Sequence, residues 1–296
     1  MRRLSENFMK KLNGEWKNLL EYIKDDDTLD LELRGKEITV YYRGGALLSI
    51  KEENDETYTW KPLDAEYKKG KASMPTGCIR DFENYIPQAK HVIDKYIVCS
   101  PKNHLGEKEI QQLVVKENNY SPNSNDTDFF IVDMEYQDSV GRFDLVVLRW
   151  DSSTSARKSN NVSMAIVEVK QGIDTVRTSE SNPGLKQHQN DFEKFCSNPT
   201  AKKSFMNDML TVFKQKCELG LIKANSKIEN ITEETKLQLV GDLEFYCLLA
   251  NYKPASKQLK NELEEMDDCK FFTSSYMGYG LYVKNIIDKE EILKTL

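Results

Sequence analysis

In the segment Ala165-Ile166-Val167-Glu168-Val169-Lys170, a carboxylate and an ammonium stand two residues apart at the end of an apolar run. Side chains alternate along a strand, so Glu168 and Lys170 project to one face while Val167 and Val169 pack on the other. Two charges on an apolar strand are costly to bury without partners, and an active site is one reason to keep them. The triplet Glu-x-Lys also occurs at Glu15-Trp16-Lys17, Glu66-Tyr67-Lys68 and Glu234-Thr235-Lys236, but only the copy at 168 closes an apolar strand. Upstream, Gly141-Arg142-Phe143-Asp144-Leu145-Val146-Val147-Leu148 sets an acidic residue at the head of another apolar run. Sequential strands are commonly neighbours. If these two are, Asp144 and Glu168 can meet at one metal ion.

The elements that must position these residues read as follows. Glu107 to Asn118 has helical spacing, Phe129 to Tyr136 and Phe143 to Trp150 are strands, Asp151 to Asn161 is a polar loop, and Ser163 to Lys170 is a third strand that Gly172 can end in a turn. Helices follow from Leu185 to Cys196 and from Lys202 to Leu219, the second with a core stripe of Phe205, Met209, Val212, Phe213 and Cys217. Leu243 to Asn251 is a strand, Ser256 to Met266 a helix, and Phe271 to Val283 holds strand-forming aromatics. This alternation is an α/β order.

Before it, residues 1–99 form a separate α+β part, with a soft boundary near Ser100-Pro101. One helix is expected from Phe8 to Ile23, then a meander of Leu29 to Leu33, Ile38 to Tyr42 and Ala46 to Ile50, with Tyr58 to Leu63 as a further strand. Asp81 to Tyr96 reads as a helix that Pro87 should kink or divide. Tyr41, Tyr42, Tyr58 and Trp60 suit the core of a small sheet better than a base-stacking platform. Lys68, Lys69 and Lys71 read as a solvated loop.

An Asp on the second strand, then Glu-x-Lys on the third, after an acidic helix and before another helix, resembles the PD-(D/E)XK, or restriction-endonuclease-like, nuclease superfamily. The resemblance covers residues 100–200 well and 200–296 loosely, and leaves the first hundred residues outside. It implies a restriction-endonuclease-like core in 100–296, with a mixed central sheet flanked by helices. It further implies that Asp144, Glu168 and the backbone carbonyl of Val169 hold Mg²⁺ or Mn²⁺ through hard oxygen ligands, and that Lys170 acts on an attacking water or on the developing charge.

The family often adds an acidic residue from the first core helix. Glu107 and Glu109 are the candidates, and Glu107 is preferred because it lies close to the face of Ile110, Leu113 and Val114. The helix Leu185-Lys186-Gln187-His188-Gln189-Asn190-Asp191 loosely matches the family's Gln-containing motif, but Asp191 stands where its Tyr belongs. Gln187 and His188 are therefore the weakest additions to the set, and His188 suits a surface or packing role better, as do His91 and His104.

The implied activity is metal-dependent hydrolysis of phosphodiester bonds in DNA, or in RNA, serving defence or repair. The alternative is a silent nuclease fold that binds nucleic acid or protein. The residues 1–99 are expected to recognise a substrate, a partner protein or a second copy of the chain.

Composition narrows the field. Hydrophobic residues make up 39% and charged residues 30% of the 296 residues, which excludes collagen-like and wholly disordered chains. The net charge of −6 argues against an extensive basic surface for phosphate backbones. No apolar run reaches the roughly 20 residues of a membrane span, and a cytoplasmic location is expected. The six cysteines form no CxxC pair, as suits reduced thiols rather than a disulfide framework or zinc ribbon. Phosphate-loop, dinucleotide-binding, zinc-protease and Gly-x-Ser-x-Gly motifs are absent.

Overall fold

A computed structural model describes residues 1–54, 56–77, 79–99, 106–120, 127–137, 141–172, 184–222, 230–252, 256–275 and 277–295. The chain opens with two helices, α1 (Glu6–Asn13) and α2 (Lys17–Asp25), where the sequence suggested one. Ser5 caps α1 by accepting from the Phe8 amide. The break falls at Gly14, whose backbone leaves the helical region at φ −117° and ψ −96°. A Cβ there would stand 2.9 Å from the Lys10 carbonyl oxygen, so the turn needs a residue without one.

Strands β1 (Leu29–Leu33), β2 (Glu37–Tyr42), β3 (Gly45–Asn54) and β4 (Thr57–Lys61) form an antiparallel meander. Helix α3 (Phe82–Cys99) runs unbroken through Pro87, contrary to the expected division. Pro87 lies one turn in, where its missing amide deprives a single carbonyl, and Tyr85, Ile86, Ala89, Val92 and Ile93 are buried on both sides of it. Trp60 stacks edge-on against Tyr85, and Tyr58 against Phe8 and Trp16, so these half-buried rings pack against the core from its margin.

The second sheet begins after α4 (Gly106–Val115), which continues as a π-helical turn, Lys116–Tyr120. Its strands are β5 (Phe129–Gln137), β6 (Arg142–Arg149), β7 (Asn161–Gln171), β8 (Gln238–Leu239), β9 (Glu244–Ala250), β10 (Lys270–Ser274) and β11 (Ile287–Asp288). The order is β11-β10-β9-β7-β6-β5, with the short β8 paired to β7. Strands β5, β6 and β7 form an antiparallel meander, whereas β9 and β10 run parallel to β7. The sheet is mixed, and the fold is α+β: one antiparallel sheet and one mixed sheet flanked by helices.

Helices α6 (Leu185–Cys196) and α7 (Pro199–Glu218) cover one face of the mixed sheet, through contacts of Phe195 and Phe213 with Val146, Leu148 and Ile166. Helix α4 covers the other, where Ile110 and Val114 meet Leu145, Val147, Val167 and Val169. The near-continuous apolar runs of β6 and β7 follow from burial on both faces. Two helices complete the chain, α8 (Lys257–Glu265) and α9 (Lys289–Thr295). The segment expected as a plain loop contains a further helix, α5 (Thr154–Lys158), capped by Ser153 and anchored by Arg157, whose guanidinium lies over Phe130 and Trp150. Beyond β10 the aromatic stretch leaves the sheet, so Tyr279 and Leu281 are core residues without being strand residues.

The expected boundary at Ser100-Pro101 lies outside the described residues, as does His104. The two sheets share one apolar cluster, in which Leu31 and Val40 join Phe130, Val146 and Phe213. Charges cross the same junction: Lys216 of α7 donates to both oxygens of Glu32 at 2.9 Å, and Asp133 of β5 is approached by Arg2 at 3.3 Å and Arg34 at 3.4 Å. Among the described residues no helix is long and apolar enough to cross a membrane.

Candidate active site

Strands β6 and β7 pair with Leu145 opposite Val167. One step further in the same antiparallel register sets Asp144 opposite Glu168. Both side chains belong to the α6 face, because Val146 and Ile166, two residues away on each strand, pack there. The alternation read from sequence therefore places the two carboxylates together. Asp144, Glu168 and Lys170 are 7%, 1% and 3% exposed, so all three charges are withdrawn from bulk water.

Each has partners. The amide of Val169 donates to Asp144 Oδ2 at 2.8 Å. Lys170 Nζ donates to Glu168 Oε1 at 2.7 Å and stands 3.9 Å from Glu107 Oε1. His188, from the first turn of α6, brings Nε2 to 3.0 Å from the same Glu168 oxygen and 3.4 Å from Lys170 Nζ. Four elements thus meet at one end of the mixed sheet: the head of β6, the tail of β7, and the N-terminal turns of α4 and α6.

The protonation pattern follows from burial and charge count. Burial drives the Asp144 carboxyl well above the usual carboxylate range, and the like charges of Glu168 and Glu107 add to the effect. Burial also raises Glu107, against the opposing pull of Lys170. For Glu168 burial acts upward too, but the hydrogen bond from His188 and the charge and hydrogen bond of Lys170 outweigh it, and its pKa falls below the ordinary value. Burial works to lower Lys170, and the carboxylates, Glu168 first, raise it overall. Three acidic groups thus compete for one lysine.

Each sequence candidate has a definite place. Glu107 joins the cluster, and Glu109 does not: it accepts from Arg43 Nε at 2.7 Å on another side of α4. Gln187 is excluded from the cluster, since its amide donates to Asp191 on the exposed side of α6 at 2.9 Å. His188 corrects the reading of it as a surface or packing residue. A signal for it existed in its spacing, three residues after the buried Leu185 and four before Phe192, on the inward stripe of α6. The loop 173–183 between Gly172 and α6 lies outside the described residues.

The donor set suits a hard divalent cation in type, with carboxylate oxygens from Asp144, Glu168 and Glu107. Oε2 of Glu107 is buried without a hydrogen-bond partner. The Val169 carbonyl leaves its strand on the same side as the amide that reaches Asp144. Among the described residues, however, no three His, Cys, Asp or Glu side chains converge closely enough to hold an ion as they stand, and Lys170 and His188 already occupy Glu168 Oε1.

No family model matches the chain, and no curated protein or solved structure matches it either.

Proposed function

We propose that the protein is a metal-dependent phosphodiesterase acting on nucleic acid, DNA in the first place, built on a restriction-endonuclease-like core in residues 100–296. The single observation that carries this reading is that Asp144 and Glu168 stand one step beyond the Leu145–Val167 pair on adjacent antiparallel strands, with Lys170 bonded to Glu168. The path from α4 through the β5-β6-β7 meander and α6 to a parallel β9 beside β7 supports it.

Asp144, Glu168 and the Val169 carbonyl, with Glu107 alongside, would hold Mg²⁺ or Mn²⁺. The buried excess of carboxylate over lysine is what would draw a cation to this cluster. When bound, the ion supplies Lewis acidity toward a phosphodiester oxygen. The chain's own residues do the rest. Lys170 keeps its proton in this surround, so it orients water and offsets negative charge as phosphorus becomes crowded. His188 fixes the Glu168 carboxylate through Oε1 and leaves Oε2 for other work. The Val169 amide holds Asp144 in one rotamer.

The second reading is a silent fold that binds nucleic acid or protein, and one observation favours it: the carboxylates are not spaced for an ion among the described residues. A cleavage assay on single- and double-stranded DNA and RNA with Mg²⁺ or Mn²⁺ separates the two. The nuclease reading expects cleavage that Asp144→Ala, Glu168→Ala and Lys170→Ala each abolish, while Gln187→Ala cuts normally. Binding without cleavage in the wild-type chain establishes the second reading. A cytoplasmic setting and a recognition role for residues 1–99 belong to the same proposal.

A further inference from the structure

Where the first sheet meets α4 there is a cavity of about 210 Å³. It lies on the flank of the helix that carries Gln112, Leu113 and Lys116, away from the Glu107 side that reaches Lys170. Asp30 of β1 lines it and is 1% exposed. One of its carboxylate oxygens, Oδ1, accepts the Tyr120 hydroxyl at 2.8 Å, and the other has no partner among the described residues. A buried acceptor left unpaired is costly and calls for an explanation. Tyr42 and Tyr120 contribute ring surfaces, and Leu113 an apolar wall.

The surround is held in place. Arg43 sits at φ 49°, an uncommon region for a side chain of its size, and is fixed by ion pairs to Glu109 at 2.7 Å and Asp94 at 2.9 Å. The Gly44 amide next to it donates to Gln112 Oε1 at 2.7 Å, and a Cβ on Gly44 would come 2.7 Å from the Lys108 carbonyl carbon, so this turn is pressed onto α4. Lys116 and Tyr120 bracket a π-helical turn, a rare form that gathers at functional sites.

We propose that this cavity binds a purine base carrying an exocyclic amine, the amine donating to Asp30 and the ring lying between the tyrosine faces. The volume is below the roughly 300–1,000 Å³ that holds a drug-sized ligand, so one ring system enters and its sugar stays outside. A buried acceptor selects a donor. Three carboxylates, from Asp27, Asp30 and Glu109, and two cations, Arg43 and Lys116, line the cavity; Arg43 is spent on Glu109 and Asp94, whereas Lys116 has no ion pair among the described residues. Lys116 is therefore the cation left for an anionic tail, while the amine end of the ring meets the carboxylate side of the cavity. The base can belong to a free nucleotide or to an unpaired position of a strand. The inference does not depend on whether the carboxylates across α4 cut phosphodiesters.

Titration calorimetry on the full chain tests it with adenosine, adenosine 5′-monophosphate, purine riboside, which lacks only the amine, and single-stranded oligo(dA). Adenosine is expected to bind about tenfold or more tightly than purine riboside, since a site built for a donor rejects the analogue without it. Asp30→Asn is expected to erase that preference. Leu113 is 36% exposed, so Leu113→Trp fills the cavity at little risk to folding and should remove binding while the melting curve stays intact. Tighter binding of the monophosphate than of oligo(dA) assigns the site to a free nucleotide, and the reverse assigns it to a strand; both uphold the pocket. Absence of adenosine and monophosphate binding at millimolar concentration, equal affinity for purine riboside, or undiminished binding by Leu113→Trp overturns it.

Discussion

Oδ2 of Asp144 accepts the amide of Val169 at 2.8 Å, tying the head of β6 to the tail of β7 just beyond the last paired rung, Leu145 with Val167. A carboxylate here takes the place of a backbone acceptor, so the two strands stay joined while Asp144 and Glu168 lie on the same face of the sheet. Burial and two neighbouring carboxyls then make ionised Asp144 unfavourable.

Asp144→Asn keeps an acceptor for Val169 and removes the charge. Stability should hold or rise, because burial and the neighbouring carboxyls already disfavour the ionised acid. Phosphodiesterase activity should fall by about 10²–10³-fold. Denaturant melts and a plasmid-nicking assay read the two quantities. A variant that unfolds easily and still cleaves contradicts both assignments.

A divalent cation should stabilise the fold through this cluster. At a concentration of about 100 times its Kd, Mn²⁺ adds about 2.7 kcal/mol, a shift of several degrees in Tm. Glu168→Gln should abolish the shift without any substrate present. An equal shift in that variant would place the ion elsewhere.

Glu32 and Lys216 are both fully buried and bonded to each other across the junction of the two sheets. Burial raises the Glu32 carboxyl even with the ammonium on both its oxygens, which marks the pair as costly to hold. Lys216→Met or Glu32→Leu alone leaves one charge unpaired and should destabilise by about 3–5 kcal/mol, and the double variant by clearly less. A double-mutant cycle on chemical unfolding measures the coupling. Additive losses would show that the pair does not act as one.

Thiol reactivity gives a pH test. Burial pushes the Cys196 thiol up to about 11 from an ordinary 9.0, and the thiolate is the reactive form. Below that pKa the thiolate fraction rises tenfold per pH unit, so labelling by iodoacetamide should be slow at pH 8 and about a hundredfold faster at pH 10. The exposed Cys99 should label readily at pH 8. Mass spectrometry of peptides assigns each site, and rapid labelling of Cys196 at pH 8 would count against its burial.

The sequence by itself determined the strands that matter and the face each side chain takes. Alternation is a local property of extended backbone, so Glu168 and Lys170 had to share a side wherever the strand went, and the apolar runs 143–150 and 163–170 had to be buried. Helix α6 was legible to the residue from its spacing and ends. The helix break at Gly14 was not, because it turns on whether a Cβ fits against the Lys10 carbonyl, a clash that apolar periodicity does not record. Helical periodicity already favoured Glu107 over Glu109, and tertiary structure added what each meets, because one flank of α4 reaches Lys170 of β7 and another reaches Arg43. Tertiary structure also turned Gln187 outward and His188 inward, because the rotation of α6 on the sheet is set by the packing of Leu185, Phe192 and Phe195 rather than by the polar residues themselves. Periodicity fixes what lies on one face of an element, and only packing between elements decides what that face meets.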